Sequence, residues 1–218
     1  MKVLVIGDSY GLPRFAKNSV QVELSYRECY PEKLRLLLCD IFKTDIPLLN
    51  RSRHANVSLS LVKGEANEVV FLEPDYVVLQ LGLVDLWPGT GRNVEPLYQE
   101  LAGHDPWVDA EAYTANICRF AEFAATRRAK VLIVNIPPVA AELCVRYPAI
   151  ADRIEQYNRR LEALAATCEA VTLIDWYAIA AGQEPQKVLG SDGIHPTAWA
   201  SELLARQLVA AIVKLEQE

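Results

Sequence analysis

The sequence predicts an α/β domain built on a parallel sheet with helices on both faces. Three observations carry that expectation. Five short runs of apolar, largely β-branched residues recur along the 218-residue chain. Longer stretches with helical spacing separate them. The strand-like runs are continuously apolar instead of alternating, as strands buried on both faces are. The length suits one domain, residues 1–218, able to bury a full core without disulfides or metals.

Each element has its own signal. Residues 3–6 read as the first buried strand. Residues 31–42 have helical spacing, with Leu34, Leu37, Leu38 and Ile41 on one side. Residues 46–49 form a short second strand and 58–72 a helix. Residues 75–81, centred on Tyr76-Val77-Val78-Leu79, form the third strand. A long helix over 109–128 leads to a fourth strand at 130–136, closed by Pro137-Pro138. A helix over 149–167, a fifth strand at 171–174 and a last helix over 197–215 follow, with Thr197 as an N-cap. The longest irregular stretch, 86–109, is rich in Gly and Pro and carries Trp87, Tyr98 and Trp107. It is expected to be a lid or substrate wall.

Composition narrows the function classes. A net charge of −6, with both signs mixed along the chain, argues against general nucleic-acid binding. The five cysteines, Cys29, Cys39, Cys118, Cys144 and Cys168, are widely spaced and include no Cys-x-x-Cys pair. Neither a disulfide framework nor a zinc site is indicated, and a reducing compartment is expected. The opening apolar run is too short for a signal-peptide core and no run reaches membrane-span length. A soluble, cytoplasmic protein without a membrane partner is therefore expected; oligomeric state is not legible. The turn Gly7-Asp8-Ser9-Tyr10-Gly11 matches neither dinucleotide-binding nor P-loop spacing.

In parallel sheets the ligand site lies beyond the carboxyl ends of the strands. Ser9 follows the first strand there, in a glycine-containing turn. Alone, Gly-Asp-Ser reads first as a turn with a helix cap. Asp192 and His195, three residues apart around Gly193, precede the last helix, so one loop can carry a base and the carboxylate that orients it. Histidine is scarce, with only His54, His104 and His195. A serine hydroxyl needs such a base within hydrogen-bond reach before it becomes a useful nucleophile.

Gly7-Asp8-Ser9 and Asp192-x-x-His195 resemble the first and last blocks of the SGNH/GDSL hydrolase superfamily. The resemblance implies a three-layer α/β/α, flavodoxin-like fold on a five-stranded parallel sheet. It also implies a serine esterase acting on small acyl or acetyl esters of sugars, lipids or aryl alcohols. Ser9 is then the nucleophile, His195 the base and Asp192 its partner. The partner molecule is a small ester, and neither metal nor organic cofactor is required.

Two middle blocks depart from the family pattern. Where the family has Asn-x-Gly-x-x-Gly, this chain has Asn50-Arg51-Ser52-Arg53-His54-Ala55. Ala55 stands where a glycine normally lends its N–H to the oxyanion hole. Where the family has Gly-x-Asn-Asp, this chain has Gly82-Leu83-Val84-Asp85. Val84 replaces an asparagine donor and cannot donate. Losing one such donor slows acyl transfer roughly 100- to 1000-fold. Arg51, Arg53, His54 and Asn56 flank the gap in sequence, and Arg53 is the first candidate to fill it; solvated loop residues are the alternative.

Asp8 and Gly82 complete the expected oxyanion and substrate-binding set, while Asp85 is expected to stabilise its loop. Arg14 and Arg92 are either ordinary surface charge or groups that favour an anionic substrate, and Trp87 is either a substrate wall or core. The same triad serves an esterase or an acyltransferase in which a sugar or alcohol replaces water. The Val84 departure also leaves open a catalytically weak glycan-binding protein on this fold.

Overall fold

A computed structural model describes residues 1–87 and 106–217. Five parallel strands form the main sheet: β1 (Val3–Gly7), β4 (Leu48–Asn50), β5 (Tyr76–Gln80), β6 (Lys130–Val134) and β7 (Val171–Ile174). Their order is β4-β1-β5-β6-β7. The five strands are those expected from sequence, with different ends: the first runs on to Gly7, the second is shifted to 48–50, the third and fourth are shorter and the fifth is unchanged. Pro47 has no N–H to give, so pairing starts with Leu48 opposite Val3. The Asn135 amide still reaches the Ile174 carbonyl at 3.2 Å, but at Ile136 a side chain takes over both backbone groups. Asn158 pairs with both the N–H and the carbonyl of Ile136, at 2.8 and 2.9 Å.

Successive strand residues point to opposite faces, and each face has its own core. Leu4, Ile6, Val77, Leu79, Val131 and Ile133 pack against α4 (Ala110–Thr126) and α6 (Ile150–Thr167) through Tyr113, Phe120, Tyr157 and Leu161. Val3, Val5, Val78, Leu132 and Val134 pack against α1 (Tyr30–Phe42) and α9 (Ala198–Gln217) through Leu34, Leu38, Leu204 and Leu208. Helical layers thus cover both faces of the sheet, giving the three-layer α/β/α arrangement. Thr197 caps α9 as expected, its Oγ1 accepting the Ala200 amide at 3.1 Å.

Two features were not legible in the sequence. A small antiparallel hairpin, β2 (Arg14–Phe15) with β3 (Val22–Leu24), leaves the first loop. The helix expected over 58–72 opens as a π-helical turn, Leu61–Glu65, before α2 (Ala66–Leu72). Short helices α3 (Leu83–Leu86), α5 (Ala141–Arg146), α7 (Trp176–Ala181) and α8 (Pro185–Val188) decorate the loops.

The chain leaves β1 toward β4 on one side and returns to β5 on the other. Connections therefore diverge beside the carboxyl end of β1, which opens the crevice where such sheets bind ligands. Ser9 stands at that point.

Candidate active site

The first strand ends in a tight turn. Asp8 caps the 3-10 turn Ser9–Gly11, its Oδ1 accepting the Tyr10 amide at 2.8 Å. Ser9 is left half-buried at the crevice. The loop before α9 meets it from the far end of the chain. His195 Nε2 lies 2.7 Å from Ser9 Oγ, and His195 Nδ1 lies 2.6 Å from Asp192 Oδ2. The other Asp192 oxygen accepts the amides of Ile194 and His195 at 2.9 and 3.0 Å, which fixes the carboxylate's orientation. Gly193 makes the turn possible. Its φ is +75°, and a Cβ would fall 2.7 Å from that of Ala140.

Electrostatics agree with this geometry. Burial pushes the Asp192 carboxyl up, but the His195 ring and the two loop amides outweigh it and hold Asp192 well below the usual carboxylate range. Asp192 is accordingly ionised at neutral pH. Asp8 behaves oppositely: burial raises it to about 6 against the pull of the Tyr10 amide, the His195 charge and Gln80.

The loop after β4 is lashed to β1. The Arg53 amide and the Asn56 Nδ2 both donate to the Gly7 carbonyl, at 3.1 and 3.0 Å. Ala55 lies between them with φ +52°, the left-handed region that its glycine counterpart would enter freely. Among the described residues, neither the Ser9 amide nor the Ala55 amide donates to a protein acceptor.

The GDSL-like lipase/acylhydrolase family profile matches residues 5–203. The chain belongs to that family. Among solved structures, the GDSL-like chain is similar to an acetylxylan esterase from Geobacillus stearothermophilus, with 17% identity, a TM-score of 0.72 and coverage of 96% of this chain and 92% of that one. It is also similar to a lipase/acylhydrolase from Enterococcus faecalis, with 17% identity, a TM-score of 0.71 and coverage of 97% and 94%. A third is LAE5, an alpha/beta hydrolase enzyme from the metagenome of Lake Arreo, Spain, with 19% identity, a TM-score of 0.71 and coverage of 96% and 94%. These likenesses bear on the fold. A search of curated proteins returns no match.

The structure redistributes several residues of this GDSL-like site. Arg53, the first candidate for the replacement donor, has its guanidinium ion-paired with the buried Glu65, and Arg51 pairs with Glu68 at 3.1 Å. Asn56 has spent its amide on Gly7, which leaves exposed His54 as the one flanking side chain without a fixed protein partner among the described residues. Val84 is half-buried in the first turn of α3, with only hydrocarbon to offer.

Gly82 serves packing and not substrate: its φ is +124°, and a Cβ would fall 2.6 Å from Ile136 Cδ1. Asp85 has the stabilising role expected, both oxygens accepting the Ser58 amide at 2.9 and 3.1 Å. Burial raises it to about 7 against those bonds.

Arg14 is not ordinary surface charge and does not face an anionic substrate, because Glu23 and the Pro196 carbonyl hold it beneath the His195 loop. Trp87 packs on the core edge, 5.3 Å from the Tyr147 ring centre. Arg92 and most of the expected lid, residues 88–105, lie outside the described residues. Glu23, which accepts the Ser191 amide in the loop carrying Asp192, has no signal in the sequence; no local pattern marks a side chain that acts through a distant loop.

Proposed function

We propose that this GDSL-family protein is a serine esterase that cleaves small acyl esters through an acyl-serine intermediate. The observation that supports it best is the unbroken hydrogen-bonded chain from Ser9 Oγ through His195 to an ionised Asp192. His195 Nε2 takes the Ser9 proton as Oγ attacks the ester carbonyl carbon. The oxyanion that develops is met by the amides of Ser9 and Ala55. Collapse of the tetrahedral species expels the alcohol, which takes its proton from His195. Water, deprotonated by the same imidazole, then attacks the acyl-serine and releases the acid. Asp192 keeps the ring in the productive tautomer and balances the imidazolium formed in each step.

Val84 makes this a two-donor oxyanion hole. Turnover is therefore expected to be roughly 100- to 1000-fold below that of a three-donor relative. Acetyl groups carried on carbohydrates are the proposed substrates. The likeness to the acetylxylan esterase lends support, within the limits of 17% identity. The test is hydrolysis of p-nitrophenyl acetate and butyrate by wild type and Ser9→Ala. Turnover abolished in the variant is expected. Folded wild type without turnover, or equal rates from both proteins, overturns the esterase reading.

A further inference from the structure

The chain Ser9–His195–Asp192 depends on a loop, residues 190–196, that lies outside the main sheet. Part of its closure is local: the Gly190 amide donates to the His195 carbonyl at 2.8 Å, and the Gly193 amide to the Gly190 carbonyl at 3.0 Å. From outside the loop the Ala140 amide donates to the Gly193 carbonyl at 2.8 Å, and the β2–β3 hairpin supplies a second anchor. Arg14 donates from Nε to Glu23 Oε2 at 2.9 Å and from Nη2 to the Pro196 carbonyl at 2.5 Å. The second Glu23 oxygen accepts the Ser191 amide at 2.6 Å, and Ser191 Oγ accepts the Lys17 amide at 2.9 Å. Arg14 Nε also lies 4.0 Å from Asp192 Oδ2, the oxygen that binds His195 Nδ1. Gly190 leaves room for this arrangement, since a Cβ there would fall 2.2 Å from Arg14 Nη2 and 3.0 Å from Glu23 Oε2.

A two-strand hairpin does not need a buried guanidinium to stay in place. The Arg14 side chain is only 10% exposed, and its Nη1 finds no acceptor among the described residues. Burying a charged donor this way is unfavourable, and apolar packing would hold the hairpin at least as well. What an apolar residue cannot supply is a rigid fork spanning Glu23 and Pro196 and a fixed positive charge beside Asp192.

We propose that Arg14 and Glu23 are a positioning pair for the reaction centre. The pair holds the Asp192–His195 loop in register with Ser9, and Arg14 shares the Asp192 carboxylate with His195. The reading rests on the serine-esterase function above. The charges around the imidazole set the sign of its consequences. Asp192 faces His195 from its own loop, Asp8 from the turn after β1, Arg14 from β2 and Glu23 from β3 behind Arg14. Lys17 and Glu142 line a cleft of about 600 Å³ along the outer side of Asp192. Arg14 draws Asp192 away from the imidazolium, and Glu23 moderates that pull. Removing Arg14 strengthens the carboxylate's hold on the protonated ring; removing Glu23 weakens it.

The experiment compares wild type, Ser9→Ala, Arg14→Gln, Arg14→Lys and Glu23→Gln on p-nitrophenyl acetate across pH. Arg14→Gln and Glu23→Gln are expected to lower kcat at least ~10-fold with KM little changed, because loop misplacement of this kind acts on the chemical step. The acid limb of kcat/KM is expected to move to higher pH in Arg14→Gln and to lower pH in Glu23→Gln, by about half a unit each. Arg14→Lys restores the charge and returns the limb toward the wild-type position. Both glutamine variants within two-fold of wild type in kcat, or limbs that do not move, overturn the proposal.

If Arg14→Gln does not fold, Glu23→Gln and Gly190→Ala carry the test, the second by driving a methyl group into the guanidinium. An inert wild type would overturn the esterase reading separately. The pair is then read from the downfield proton resonance of the His195 Nδ1–H: altered in Glu23→Gln and Arg14→Gln if the pair positions the loop, unchanged if it does not.

Discussion

Ser9 and His195, 186 residues apart in the chain, meet with Oγ and Nε2 2.7 Å from each other. The contact exists because β1 delivers the serine to the crevice while Asp192 and the hairpin deliver the imidazole. Each contribution can be removed separately.

Ser9→Ala should abolish ester turnover while leaving the fold intact, since the hydroxyl lies at the crevice and supports no core packing. Asp192→Asn should lower kcat by about 10⁴-fold, because an amide partner selects the wrong imidazole tautomer. Steady-state rates on p-nitrophenyl acetate, read beside circular dichroism, check both. An active Ser9→Ala would remove the acyl-serine mechanism.

Val84→Asn restores the donor that the family places there. We expect kcat to rise at least ~10-fold, toward the 100- to 1000-fold that one oxyanion donor typically contributes. An unchanged kcat in a folded variant would show that the residue 84 side chain does not reach the developing oxyanion.

Ala55 holds φ +52° without being glycine. Ala55→Gly removes the clash of Cβ with the backbone but adds chain entropy to the unfolded state, for a net gain of a few tenths to about 1 kcal/mol. The N–H is kept, so kcat should stay within about three-fold of wild type. Denaturant unfolding and turnover measure the two effects.

Asp8 and Asp85 are both raised in the folded protein, to about 6 and about 7, by burial foremost. The folded state therefore holds protons that the unfolded chain has released between about pH 4 and pH 7. The stabilisation this gives is full below the unfolded value and fades as pH rises through the folded ones. Unfolding free energy should accordingly increase as pH falls from 8 to 5, by up to about 4 kcal/mol for the two groups together. Asp8→Asn/Asp85→Asn should flatten that dependence. A wild-type curve already flat over this range would count against both shifts.

The sequence by itself determined the layers and pointed to the candidate triad. Continuous apolar runs this short and this rich in β-branched residues, separated by helical stretches, read as strands buried on both faces, so the five-stranded sheet was legible, as was Thr197 at the start of α9. Ser9, Asp192 and His195 were legible too, because a strand-terminal serine and a short Asp-x-x-His loop are local patterns. The tertiary structure alone decided where the charged side chains went. Arg53 reached Glu65 on the π-turn. Arg14 reached Glu23 across a hairpin and the carbonyl of Pro196, 182 residues away. Periodicity and turn chemistry act over a few residues. A long cation's partner depends on which distant segments the fold sets beside it, and no local pattern encodes that.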